Sequence, residues 1–166
     1  MRYLTKYWYN KMQKGVMNMT KEDNEWFYLI DKLYEEETES FDYPLHDGVL
    51  INFQKLNNNY ELVVYVDIDD ESLKTKFVKI AFENAAILEF ENNITFLKDK
   101  NQIKLLDGDW KKLKSKSIYL YHELYKINNG YEFHLMVSEV GKKSAWTLKY
   151  ISILCDNIDV QFSYEY

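Results

Sequence analysis

Residues 118–139 read IYLYHELYKINNGYEFHLMVSE. Two stretches rich in aromatic and branched side chains flank Asn129-Gly130, and each alternates one set of side chains against another. Asn-Gly accepts the left-handed backbone of a type I′ turn, whose twist matches that of paired strands. The stretch therefore predicts an antiparallel hairpin, Ile118–Asn128 with Tyr131–Glu139. A two-residue Asn129-Gly130 loop pairs His122 with Val137, on a face with Ile118, Leu120, Leu124, Phe133 and Leu135. The other face then carries Tyr119, Tyr121, Glu123, Tyr125 and His134, with His134 opposite Tyr125 and diagonal to Glu123.

The same period of two extends both ways. Val49, Ile51 and Phe53 alternate with Leu50, Asn52 and Gln54, and Leu62, Val64, Val66 and Ile68 alternate with Val63, Tyr65 and Asp67. Asn57-Asn58-Asn59 between them is turn chemistry. An Asn58-Asn59 loop pairs Phe53 with Val64 and Ile51 with Val66, keeping the apolar sets on one face. Further strands are predicted at Phe77–Phe82, Ala86–Glu91, Ile94–Leu97 and Ile103–Leu106. A closing pair, Ala145–Cys155 and Ile158–Tyr166, is joined by Asp156-Asn157.

Upstream the period is helical. Trp8, Met12 and Val16 fall at four-residue spacing after Thr5, and Trp26, Leu29, Ile30, Leu33 and Tyr34 form one apolar stripe. Pro44 and Asp47-Gly48 mark the boundary. The expected fold is α+β and a single domain over 1–166. Helices at about 5–38 precede a large antiparallel meander sheet over about 49–166, strongly twisted or an open barrel.

Composition supports strands: 15 Tyr, 9 Phe and 4 Trp stand against 5 Gly and 1 Pro. At 166 residues the chain can bury roughly 70% of its unfolded surface without staples. A net charge of −6 argues against nucleic acid and anionic membranes, which need a basic face. The lone Cys155 offers no internal disulfide, no stretch reaches membrane-spanning length, and the N-terminus lacks an apolar signal core, so a cytoplasmic location is expected.

The residues that carry chemistry are few. His122 reads as a core histidine. His134 with Glu123, Tyr125 and Tyr121 makes a polar–aromatic cluster, either a solvated sheet face or a site. His46 lies alone in its loop. One Cys and three scattered His match no zinc spacing, and Asp67-Ile68-Asp69-Asp70-Glu71 lacks the spacing of a calcium loop. Asp107-Gly108-Asp109 reads as a turn. No phosphate loop or nucleophile elbow is present, so neither metal nor cofactor is expected. Lys111, Lys112, Lys114 and Lys116 form the one basic patch beyond the N-terminus. Tyr119, Tyr121 and Tyr125 together suit a recognition surface, because tyrosine brings contact area at low entropic cost; under a covering helix they are instead a second core.

The opening Met1-Arg2-Tyr3-Leu4-Thr5-Lys6-Tyr7-Trp8-Tyr9, with Tyr121-His122-Glu123-Leu124-Tyr125 and Asn129-Gly130-Tyr131-Glu132-Phe133-His134-Leu135, resembles a family of uncharacterised small proteins from low-GC Gram-positive bacteria. Its members tend to begin Met, then Lys or Arg, Tyr or Phe, Phe or Leu, Thr, Lys, any residue, Trp, Tyr. The resemblance covers the first tenth and last third of the chain and implies no activity and no catalytic residues.

Three functions fit. The first is a non-enzymatic interaction module, an acidic inhibitor or immunity-type partner of a basic protein, using Tyr119, Tyr121, Glu123, Tyr125 and His134. The second is a binder of a small apolar ligand inside a barrel-like sheet. The third is a hydrolase built on His134 and Glu123 or on the Asp67–Asp70 carboxylates.

Overall fold

The computed structural model describes residues 45–66, 75–91, 93–140 and 146–166. The helices expected at about 5–38 and the Asp67–Asp70 carboxylates lie outside the described residues. Among the described residues there are eight strands: β1 (Val49–Leu56), β2 (Asn59–Tyr65), β3 (Phe77–Glu83), β4 (Ala86–Phe90), β5 (Lys116–Ile127), β6 (Gly130–Val140), β7 (Trp146–Cys155) and β8 (Asn157–Ser163). All pairings are antiparallel, in the order β4-β7-β6-β5-β1-β2-β3-β8. The antiparallel sheet is as expected. It is open, with β4 and β8 at its edges.

The order is two three-strand meanders, β1-β2-β3 and β5-β6-β7, joined at a short seam. At that seam Val49 sits opposite Ile118, the Asp47 N–H donates to the Tyr119 carbonyl at 2.9 Å, and the Tyr119 N–H donates to the Gly48 carbonyl at 2.7 Å. The expected closing hairpin does not form: β8 pairs with β3 and not with β7. A single residue, Asp156, links β7 to β8, too short for an antiparallel reversal, so the chain bends and passes into the other half of the sheet. Strands that switch sheets at such bends make the corners of packed sheets. The β3–β4 link crosses in the opposite sense at Asn84, whose φ is 46°. The two crossings are tied together, with the Asp156 N–H donating to the Glu83 carbonyl at 2.9 Å and Asn84 Nδ2 to Asp156 Oδ2 at 3.0 Å.

Because of these crossings the two halves curl face to face. Leu50, Leu62, Val64, Val78, Ile80 and Phe82 pack against Phe133, Leu135, Val137, Ile151 and Ile153 in one core. The Phe82 and Phe133 rings meet across it at 5.0 Å. Each such side chain, fully buried, stabilises the fold by about 1.5–3 kcal/mol. Residues 93–97 are pinned across one end of this interior. Lys149 Nζ donates to the Asn93 carbonyl (3.0 Å), the Thr95 N–H to Ser117 Oγ (2.9 Å), Thr95 Oγ1 to Glu139 (2.9 Å) and the Leu97 N–H to the Leu50 carbonyl (3.2 Å).

Two bulges decide which side chains enter the core. In β1 the ladder shifts at Ile51, so Leu50 and Phe53 face the interior while Val49 and Ile51 face outward, dividing a set the alternation had placed together. The turn is Asn57-Asn58, with Asn57 left-handed at φ 57°, and Phe53 pairs with Leu62 instead of Val64. In β5 the ladder shifts at Leu120, and the turn to β6 is Asn128-Asn129, so His122 pairs with Leu135 instead of Val137. Gly130 opens β6 at φ 136°; a Cβ there would lie 2.1 Å from the Cys155 carbonyl oxygen. Its glycine serves a close approach of backbones, not a type I′ turn.

The outward face of β1-β2-β3 is roofed by residues 97–113. Leu97, Ile103, Leu106 and Leu113 pack on Val49, Ile51, Val63, Tyr65 and Phe77. The strands predicted at Ile94–Leu97 and Ile103–Leu106 are absent. Ile103 lies in a short helix, α1 (Lys100–Lys104), whose N-cap Asp99 accepts from the Asn101 N–H at 2.8 Å, and Leu105–Asp107 continue as a 3-10 turn. The Asp99 cap satisfies a helix donor that no strand would offer. Asp107 then anchors the roof, accepting from the Tyr65 hydroxyl at 2.6 Å and from Lys76 Nζ at 2.8 Å. Lys76, then Tyr65, hold its carboxyl below the usual carboxylate range.

Candidate functional site

The outward face of β5-β6-β7 gathers four of the five residues nominated from sequence. Tyr121 lies opposite Met136, Glu123 opposite His134, and Tyr125 opposite Glu132. Tyr119 is the exception. The bulge at Leu120 turns its ring to the other side of the sheet, where it is fully buried in the core and edge-on to His122 at 5.7 Å. Tyr119 therefore shares no face with Tyr121 and Tyr125. His134 faces Glu123 directly and not Tyr125, because the turn precedes the expected one by a residue. On its other side β7 brings Ser152 opposite His134, and Tyr150 opposite Met136; Glu89 of β4 stands opposite Ser152.

Both ring nitrogens of His134 are engaged. Nδ1 hydrogen-bonds the Tyr150 hydroxyl, and Nε2 lies 3.2 Å from Glu132 Oε2. The Tyr125 ring stands edge-on to the imidazole at 5.1 Å. Burial pushes the Tyr150 phenol up, and the negative charges of Glu89, Glu123 and Glu132 push it further, against a hydrogen bond from Ser152. Tyr150 therefore keeps its proton and donates it to Nδ1, which leaves the imidazole proton on Nε2, aimed at Glu132. The result is a relay, Ser152 to Tyr150 to His134 to Glu132, with Glu123 and Glu89 beside it. It is sheltered: Tyr150 and Ser152 are each 2% exposed, and the side chains of His134 and Glu132 are 13% and 23% exposed. Protonation of His134 would turn the Nδ1 contact round, with Tyr150 accepting.

Glu132, Tyr150, Ser152 and Glu89 were not nominated from sequence. Tyr150 and Ser152 alternate on β7, and a correct β6–β7 register would have placed them beside His134. Glu89 follows only from the β4–β7 pairing, which joins strands far apart in sequence.

The remaining candidates fall elsewhere. His122 stacks on Phe133 (5.5 Å, 23°), and burial lowers its pKa to about 3, as a core histidine requires. His46 stacks on Tyr121 at 5.0 Å. Cys155 is buried, and burial with Asp156 and Glu83 nearby pushes its thiol up to about 11. In the lysine-rich loop, Lys111 and Lys116 lie over Trp110 at 6.0 and 5.1 Å. Among the described residues no group of His, Cys, Asp and Glu is arranged to hold a metal, and no helix is long and apolar enough to cross a membrane.

No family model matches the chain, and no curated protein or solved structure is significantly similar to it.

Proposed function

We propose that this chain is a non-enzymatic protein-interaction module, an acidic partner for a basic surface on another protein. The observation that carries the reading is the convergence of Glu89, Glu123 and Glu132 on Tyr150. Three carboxylates around one sheltered phenol gather like charge on the outward face of β5-β6-β7, a charge pattern that complements a basic surface. The chain's net charge of −6 steers such a partner toward it. Two features favour binding over catalysis. His134 spends both nitrogens on neighbours inside the relay, and Ser152, the aliphatic hydroxyl at the far end of the relay, is buried. Phe82 and Phe133 fill the interior between the sheet halves, which favours this reading over an apolar ligand held there.

The test is affinity capture from lysate of the source cells, comparing the native chain with a Glu123→Gln/Glu132→Gln variant at low and high salt. The reading expects one stoichiometric basic protein, held at low salt, released at high salt and lost by the variant. A capture with no stoichiometric partner at low salt, or one indifferent to the variant, overturns it.

A further inference from the structure

The two edges of the sheet are built differently. β4 has five residues and its ladder to β7 is broken by a bulge at Leu88. Short, bulged edges are how sheets avoid pairing with other chains. Among the described residues β8 shows neither device. Its seven residues pair with β3 without a register shift, and Asn157-Ile-Asp-Val-Gln-Phe-Ser163 holds one charge, no lysine and no proline. Among the described strands it is hydrogen-bonded on one side only. Phe162 on this strand is 46% exposed, and Tyr164 just beyond it is 57% exposed.

We propose that β8 pairs antiparallel with β8 of a second copy, about a twofold axis through Val160, joining two open sheets into one. The strand's own sequence selects this axis. Residues opposite each other in a ladder share a face, so an axis between residues would set apolar side chains against polar ones. An axis at Asp159 opposes two carboxylates. The Val160 axis is central and uses the whole strand. It sets Asp159 against the partner's Gln161, Ile158 against the partner's Phe162, and Asn157 against the partner's Ser163. Ile158 and Val160 already pack on the interior core, so this register carries the apolar layer across the axis and covers Phe162. The polar face stays outside, where Gln161 Nε2 donates to Asp159 Oδ2 at 2.8 Å and is placed to serve the partner's Asp159 as well.

The experiment is sedimentation equilibrium of the full chain from about 5 to about 200 µM, a range that exposes mass-action association. The expected mass rises from 20.1 kDa toward twice that value. Gln161→Glu opposes a carboxylate to the partner's Asp159 twice per dimer and should weaken association at least tenfold. It leaves the monomer intact, because position 161 is exposed and stands opposite Lys79 of β3; an unchanged melting temperature checks this. Asp159→Lys combined with Gln161→Glu restores complementary pairs and should restore the dimer. A native chain that stays at the monomer mass throughout overturns the proposal and leaves the edge for a strand of a different protein. A dimer indifferent to Gln161→Glu overturns it too, since it would be built on another surface.

Discussion

Lowering the pH from 7.5 to 5.5 should destabilise this protein through His122 alone by about 1.4 kcal/mol. The imidazole is packed on Phe133 and Tyr119, and burial lowers its folded-state pKa to about 3. In the unfolded chain the ring titrates near 6.5. Above 6.5 both states hold it neutral, so it contributes no pH dependence. Below 6.5 only the unfolded state takes up the proton, and stability falls with each further unit of acidity until the folded state also titrates, near pH 3. The assay is urea unfolding at pH 7.5, 6.5 and 5.5, with His122→Phe as the reference. Phenylalanine keeps the ring stack and removes the titration, so whatever the rest of the chain contributes cancels in the difference. With an m-value of about 2 kcal/mol/M, the native midpoint should move about 0.7 M more than that of the variant. Parallel curves for the two proteins would refute the reasoning, since His122 would then take up its proton in the folded state.

Three further outcomes follow from local geometry. Gly130→Ala should cost more than about 3 kcal/mol, or prevent folding, because a methyl group collides with the Cys155 carbonyl at a φ of 136°; denaturant midpoints measure it, and a near-native midpoint contradicts the close approach. Cys155, with its thiol pushed up to about 11, should react with a disulfide reagent at pH 8 only as fast as the chain opens, so native and unfolded samples should differ by orders of magnitude. Asp107→Asn should cost under about 1 kcal/mol, since the carboxylate is half-exposed and its contact with Lys76 is screened. That stabilisation is full above the unfolded carboxylate pKa and is lost as the pH falls through the lowered folded value, so the gap between variant and native protein should close in acid.

What could be read from the sequence, and what could not, divides along a physical line. Alternation reports that a residue is in a strand and which neighbours share its face, and it placed a strand at each of the eight, from Val49 to Phe162, close to where they lie, with two more at Ile94–Leu97 and Ile103–Leu106 that do not form. It fails wherever one residue is inserted, because a bulge inverts everything beyond it. Ile51 and Leu120 are ordinary apolar residues with no local mark of a bulge, yet the first divides Val49 and Ile51 from Phe53 and the second sends Tyr119 into the core while Tyr121 stays outside. Turn chemistry was equally ambiguous: Asn57-Asn58-Asn59 and Asn128-Asn129-Gly130 each offer two overlapping loops, and in both the earlier pair is used. For β6 the choice is made by Cys155, which needs a residue without a Cβ at position 130 and so reserves the glycine for the strand. The site inherits these dependences. Tyr121, Glu123, Tyr125 and His134 lie within one hairpin and were legible together. Tyr150, Ser152 and Glu89 reach His134 through β7 and β4, and the tertiary contacts that set those registers are not written in any local stretch of the chain.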